Sequence, residues 1–290
     1  MHSRLICLLL SFSAITLQIA GQDSLHKEDE NSLLWRIEGN GLKEPSYLFG
    51  TIHLVCPSDF QISPALKETL DNVGSLFLEL DLDDPSLAMK TFKLSVLQEG
   101  SLRGKISEED YVRLKAFMQD SIGMPMLLLD RLKPFALLSL LQSRLLPCRN
   151  PKSYEDELKS LAKSKGLEIY GLERVEDQFA VFDGIPDSVE MAMVMDVVDS
   201  FPKRKSEFEA MVRSYNMQDL AALNQMISSS DDFGSYGKLL LGDRNRRWIP
   251  IMDTAMRKDS VLFAVGAGHL NGSEGILRLL RDKGYRVIPL

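Results

Sequence analysis

The sequence predicts an α/β protein whose central mixed sheet is built from two strand-loop-helix halves, each bearing a Gly-x-x-His motif, with a large helical insertion between them. Three observations predict it. The β-prone run Ser46-Tyr47-Leu48-Phe49 ends in Gly50-Thr51-Ile52-His53-Leu54 and leads into a helical stretch. Near the other end, residues 260–265 deliver Gly266-Ala267-Gly268-His269-Leu270 and a helix follows, the self-similarity expected of a duplicated unit. Between them, from about residue 85 to 258, apolar residues recur mostly at helical spacing.

The elements follow in order. Residues 1–22 carry Arg4, an apolar run and a close on Ala20-Gly21, the layout of a secretory signal peptide. Its apolar run is too short for a comfortable membrane span, so we expect an exported protein, periplasmic or extracellular, with residues 23–290 forming one α/β domain. Residues 32–37 and 46–50 flank Glu38-Gly39-Asn40-Gly41, a turn signal that predicts a hairpin. Residues 64–72 read as a helix with Ser63 as N-cap, and 75–80 as a buried strand. Helices are expected over 86–98, over 107–120 with a capping box at Ser107 and Asp110, and over 127–146. Residues 154–165 form an amphipathic helix closed by Gly166, and 167–170 a short strand. Pro186 and Pro202 mark further helix starts. After His269, residues 273–283 read as helix and 285–290 as a closing strand.

Composition narrows the function classes. The net charge is −7, from 34 basic and 41 acidic residues, and no basic stripe interleaves with aromatics, so nucleic acid is not expected as a partner. Charged residues and Pro134 interrupt the most apolar segment, 127–146, so no integral membrane segment is expected after the signal. Cys56 and Cys148 are the only cysteines outside the signal. In an oxidising compartment they form either a disulfide or two separate buried thiols.

The chemistry concentrates on strand ends. Loops leaving parallel strands line the crevice of an α/β sheet, and His53 and His269 both stand there behind glycines. Two imidazoles alone are a weak metal site. Glu79, at the close of the apolar strand 75–80, supplies a carboxylate that is costly to bury unless paired or metal-bound. Asp81, Asp83 and Asp84 read instead as a solvated turn. Two histidines and a glutamate with an open water position suit a divalent metal ion, whether zinc, manganese or cobalt, and hydrolysis by a metal-activated water. His-Glu-x-x-His, Gly-x-Ser-x-Gly, Cys-x-x-Cys and phosphate-loop patterns are absent.

Five motifs stand in one order along the chain: Gly50-Thr51-Ile52-His53-Leu54, Leu78-Glu79-Leu80-Asp81, Gly171-Leu172-Glu173 with Gln178, Asp243-Arg244-Asn245 with Trp248, and Gly266-Ala267-Gly268-His269-Leu270. Together they resemble the TraB/GumN family, which includes the animal Tiki metalloproteases and is related more distantly to erythromycin esterases and ChaN-like haem-binding lipoproteins. The resemblance implies that His53, His269 and Glu79 form the metal and catalytic core and that Arg244 is catalytic. It also implies that Glu173 and Asn245 line the substrate pocket and that the substrate is a peptide or protein. A second reading is a non-catalytic protein of the same fold that binds haem, a metal or a signalling peptide.

Overall fold

Six strands, four of them parallel, set the candidate site residues along one edge of a sheet. The computed structural model describes residues 31–229 and 236–290. The expected signal at 1–22 lies outside the described residues. The strands of the main sheet are β1 (Leu34–Gly39), β2 (Ser46–Thr51), β4 (Ser75–Leu78), β6 (Glu168–Gly171), β7 (Val261–Gly266) and β8 (Tyr285–Pro289). Their spatial order is β6-β4-β7-β2-β1-β8. β6, β4, β7 and β2 run parallel, whereas β1 pairs antiparallel with both β2 and β8, so the sheet is mixed, as the sequence predicts. The expected hairpin is β1-β2, and its turn needs the positive φ of Gly39, Asn40 and Gly41. A second, two-stranded sheet joins β3 (Leu54–Val55) to β5 (Lys152–Ser153).

Alternation along the strands splits the core into two layers. Phe49, Leu76, Leu78, Leu262 and Ala264 face one side. There they meet helices α1 (Pro64–Asp71), α5 (Tyr154–Ser164), α8 (Phe201–Asn216) and α9 (Leu220–Ser228). Leu48, Phe263 and Val265 face the other, against α10 (Asp243–Met256) and α11 (Ile276–Asp282). The remaining helices are α2 (Leu87–Ser95), α3 (Glu108–Phe117), α4 (Pro134–Ser143), α6 (Val175–Asp183) and α7 (Asp187–Asp199). Helices α3, α4 and α7 enclose an apolar core of their own around Leu114, Leu137, Leu141 and Val194. Among the described residues no helix is long and apolar enough to cross a membrane.

Several expectations change in detail. The short strand expected over 167–170 is β6, which lies inside the insertion over 85–258 and joins the main sheet beside β4. The helix expected over 127–146 begins only at Pro134. Proline disfavours helical backbone at the residue before it, and Lys133 accordingly adopts φ −65°, ψ 150°. Ahead of it stands a single 3-10 turn, Met126–Leu128. Helix α2 stops at Ser95 because Val96 bridges to Leu132 and the Leu97 N–H donates to the Arg131 carbonyl. At α3 the Ser107 hydroxyl oxygen accepts from the Asp110 N–H as expected, but the short Asp110 side chain accepts from the Ser107 hydroxyl and not from its backbone. The N-cap at Ser63 is present, accepting from the Leu66 N–H at 3.1 Å.

Cys56 and Cys148 are joined in a disulfide, with Cα atoms 5.7 Å apart. The bridge sits beside the β3-β5 pair and ties the loop after β2 to the chain entering α5.

Candidate functional site

The carboxyl ends of the four parallel strands each deliver one candidate side chain: Glu173 after β6, Glu79 after β4, His269 after β7 and His53 after β2. Strand order therefore places residues distant in sequence side by side. β2 and β7 are direct neighbours, with Thr51 opposite Gly266, so the two motif glycines stand one residue out of register. The two histidines are accordingly inequivalent: His269 is 4% exposed and His53 is exposed.

Gly266 lies at the centre of the group. A methyl built on it would stand 3.4 Å from Glu79 Oε1, 3.7 Å from His53 Nε2 and 3.8 Å from His269 Cδ2. Glycine thus keeps open a cradle that any other residue fills. Gly50 has a packing role: its Cβ would come 2.5 Å from Leu270 Cδ1 and 3.2 Å from Ala267, so the two histidine loops approach closely only with glycine there.

Helix α10 caps this edge. Its Arg244, Asn245 and Trp248 are buried and face inward, while Arg246 and Arg247 are exposed. Arg244 spans the site: Nη2 donates to Glu79 Oε2 at 2.6 Å and to Glu173 Oε1 at 2.6 Å, and Nη1 lies 3.2 Å from His269 Nε2. Glu79 Oε1 accepts the Gly266 N–H at 2.9 Å, and Gln178 reaches its other oxygen at 3.3 Å. Glu173 also accepts from the Trp248 indole at 3.2 Å. Asn245 donates to the carbonyls of His269 and Glu274, which leaves its oxygen to accept His269 Nδ1–H at 2.6 Å. His269 Nε2 is then the bare nitrogen, 3.8 Å from Glu79 Oε1. The two pocket residues inferred by resemblance, Glu173 and Asn245, are both spent on protein partners.

His53 has a partner that the sequence reading missed. Its Nδ1–H donates to Glu155 Oε1 at 3.0 Å, and the same oxygen accepts from the Thr51 hydroxyl at 2.6 Å. Glu155 lies in the first turn of α5, a helix read from sequence with no tie to the site. The cysteine pair held the available signal, since a bridge at Cys56 brings the chain after Cys148 toward His53.

Electrostatics separate the groups. Burial, aided by Arg244 and His53, pushes His269 down to about 3, so it is neutral across the working range. Burial resists the charge of Glu79, but the positive field of His269, Arg244 and His53 with the Gly266 N–H holds its carboxyl well below the usual range. Because His269 is itself neutral near pH 7, Arg244 carries most of that effect there. For His53, desolvation opposes charge and the Glu155 hydrogen bond and charge overcome it, raising the ring above its ordinary value. With 70% of its side chain exposed, solvent screening keeps that shift smaller than a buried pair would show.

Among the described residues no three His, Cys, Asp or Glu side chains converge tightly enough, as they stand, to hold a metal ion. Arg244 lies between His269 Nε2 and Glu79. The donor chemistry nevertheless suits a divalent ion: two imidazoles with Nδ1–H pinned and Nε2 unprotonated when the rings are neutral, one carboxylate, and a glycine cradle between them. A cleft of about 650 Å³, lined by Phe77, Leu80, Asp81, Tyr170, Glu173 and Ile251 among others, opens beside Glu173.

The sequence profile of the TraB/PrgY/gumN family matches residues 33–289. The chain is 25% identical over 317 residues to metalloprotease TIKI2 of Danio rerio, covering 90% of this chain and 61% of that protein. It is 24% identical over 344 residues to the metalloprotease TIKI homolog of Amphimedon queenslandica, covering 97% and 67%. Against metalloprotease TIKI1 of Homo sapiens the identity is 23% over 319 residues, covering 89% and 61%. The chain thus spans about three-fifths to two-thirds of the length of these relatives. No solved structure matches it significantly.

Proposed function

The chain belongs to the TraB/PrgY/gumN family, and from that membership and the crevice we propose that it is an exported metal-dependent hydrolase of peptide or protein substrates. His53, His269 and Glu79 are the residues that would hold the metal. The observation that carries the reading is the row of strand ends, where His53 Nε2, the His269 ring and one oxygen of Glu79 gather around the Gly266 cradle. Relatives bearing the name metalloprotease support the reaction class. A divalent ion there, whether manganese, cobalt or zinc, supplies an acidified water and a polarised carbonyl.

The remaining roles follow from contacts. Asn245 fixes the His269 tautomer. Glu79 and Glu173 orient the Arg244 fork, whose Nη1 bonds to the Leu240 carbonyl and His269 Nε2 and whose positive charge beside the cradle favours the oxyanion that forms from a substrate carbonyl. The cleft beside Glu173 accepts a neighbouring substrate side chain. The disulfide supports a location outside the reducing cytoplasm.

Metal analysis of the purified protein, followed by digestion of a peptide library with and without manganese, tests the proposal. Metal-dependent cleavage abolished by His269→Ala is expected. A protein that retains metal but cleaves nothing is a binding protein instead.

A further inference from the structure

We propose that Glu155 is the positioning residue for His53, holding its ring so that Nδ1–H is spent on the carboxylate and Nε2 faces the crevice. The inference rests on the proposed function for its consequence, but on geometry for its content.

His53 needs an anchor. Its side chain is 70% exposed, and an exposed imidazole is free to rotate about both side-chain torsions. Its partner is fixed: the Glu155 side chain is 15% exposed. Glu155 Oε1 takes His53 at 3.0 Å and the Thr51 hydroxyl at 2.6 Å, while Oε2 accepts from the Ser153 hydroxyl at 3.1 Å. Thr51 ends β2, so one carboxylate oxygen is registered to the strand that carries His53.

Glu155 is itself held by its surroundings. Ser153 caps α5 by accepting from the Asp156 N–H, and a carboxylate in the first helical turn is favoured by the exposed N–H groups there. Ser153 also belongs to β5, which pairs with Leu54 and Val55 directly after His53, and the Cys56–Cys148 bridge locks the same two segments. Helix α5 thus supplies to His53 what α10 supplies to His269 through Asn245. The two differ in charge: a carboxylate behind an imidazole makes it a more basic ligand than an amide does.

The test uses the full chain in metal-free form and a cobalt(II) titration. ¹⁵N NMR under alkaline conditions, where the ring is neutral, is expected to find wild-type His53 as the Nδ1–H tautomer and Glu155→Ala as a mixture. Cobalt affinity, read from visible absorption, is expected to fall about 10- to 100-fold in Glu155→Ala. Glu155→Gln keeps an acceptor and should recover part of that loss. Should Glu155→Ala fold poorly, Thr51→Val loosens the carboxylate without touching α5 and is expected to move the tautomer in the same direction. An unchanged tautomer with unchanged cobalt affinity in the folded variants overturns the proposal. A wild type that binds no cobalt and cleaves nothing, yet shows the tautomer change, retires the hydrolase reading and leaves the positioning role standing.

Discussion

Arg244 is the side chain on which the site's charge balance turns. It faces two buried carboxylates, Glu79 and Glu173, with side-chain exposures of 10% and 4%, so removing Arg244 leaves two buried charges uncompensated, whereas removing one carboxylate leaves a paired Arg244 with fewer hydrogen bonds. Glu79→Gln is expected to abolish metal-dependent hydrolysis and also to lower stability by about 1–3 kcal/mol at pH 7, measured by urea unfolding. The cost is moderate because Glu173 still pairs with Arg244. The carboxyl of Glu79 is lowered in the folded protein, so its contribution is present above the ordinary carboxylate range and is lost as pH falls toward about 2. The wild-type and Gln variant curves should therefore converge in acid; a gap that stays constant with pH contradicts the pairing. Gly266→Ala offers a cleaner probe of the cradle. Its methyl meets only ordinary contacts of 3.4 Å or more, so folding should survive while metal affinity drops by at least about tenfold, the low end of losses seen when a metal site's support is disturbed. Unaltered metal binding in that variant would show that no ion sits between His53, His269 and Glu79.

At the scale of elements, the junction of α4 with α7 gives a pH-dependent expectation. α4 lacks a side-chain cap of its own, and Glu190 of α7 reaches the Phe135 N–H in its first turn. Glu190 is 5% exposed, and its Oε1 has no partner. Burial first, then the charges of Asp187 and Asp183, raise its carboxyl to about 7. A carboxyl raised on folding is stabilising in its neutral form, so stability is lost as pH rises from the ordinary carboxylate range through about 7. Glu190→Gln should thus stabilise by roughly 1–3 kcal/mol at pH 8 and little at pH 4, read as a shift in urea midpoint. Equal shifts at both pH values would argue against an ionising Glu190. The elements themselves were legible wherever local chemistry decides them: the Gly39-Asn40-Gly41 turn, the Ser63 cap and the strand before each Gly-x-x-His. Pro134 was visible too, yet apolar spacing across it suggested one long helix, and the bridge of Val96 to Leu132 left no local trace. Within the site, residues marked by motif could be named in advance. Glu155 could not, because its link to His53 is made by β3-β5 pairing and not by spacing along the chain.

At the scale of the whole molecule, the Cys56–Cys148 bridge closes a sequence separation of 92 residues. In the chain-entropy picture a loop of that size is worth about 4–5 kcal/mol, with smaller values common in practice. Replacing both cysteines by serine should lower stability by about 2–5 kcal/mol and loosen the His53 arm before the rest of the sheet; a denaturant midpoint equal to wild type would mean that the β3-β5 contacts suffice alone. The bridge also governs how the protein behaves once damaged. The turn Met126–Leu128 lies between the two cysteines and presents Leu127 at 88% exposure, the kind of loop tip that proteases nick first. A cut there severs the backbone without releasing either piece, so the nicked protein runs as one band on a gel without reductant. Added thiol separates a fragment bearing His53 and Glu79 from one bearing Arg244 and His269, and the two halves of the site then part company.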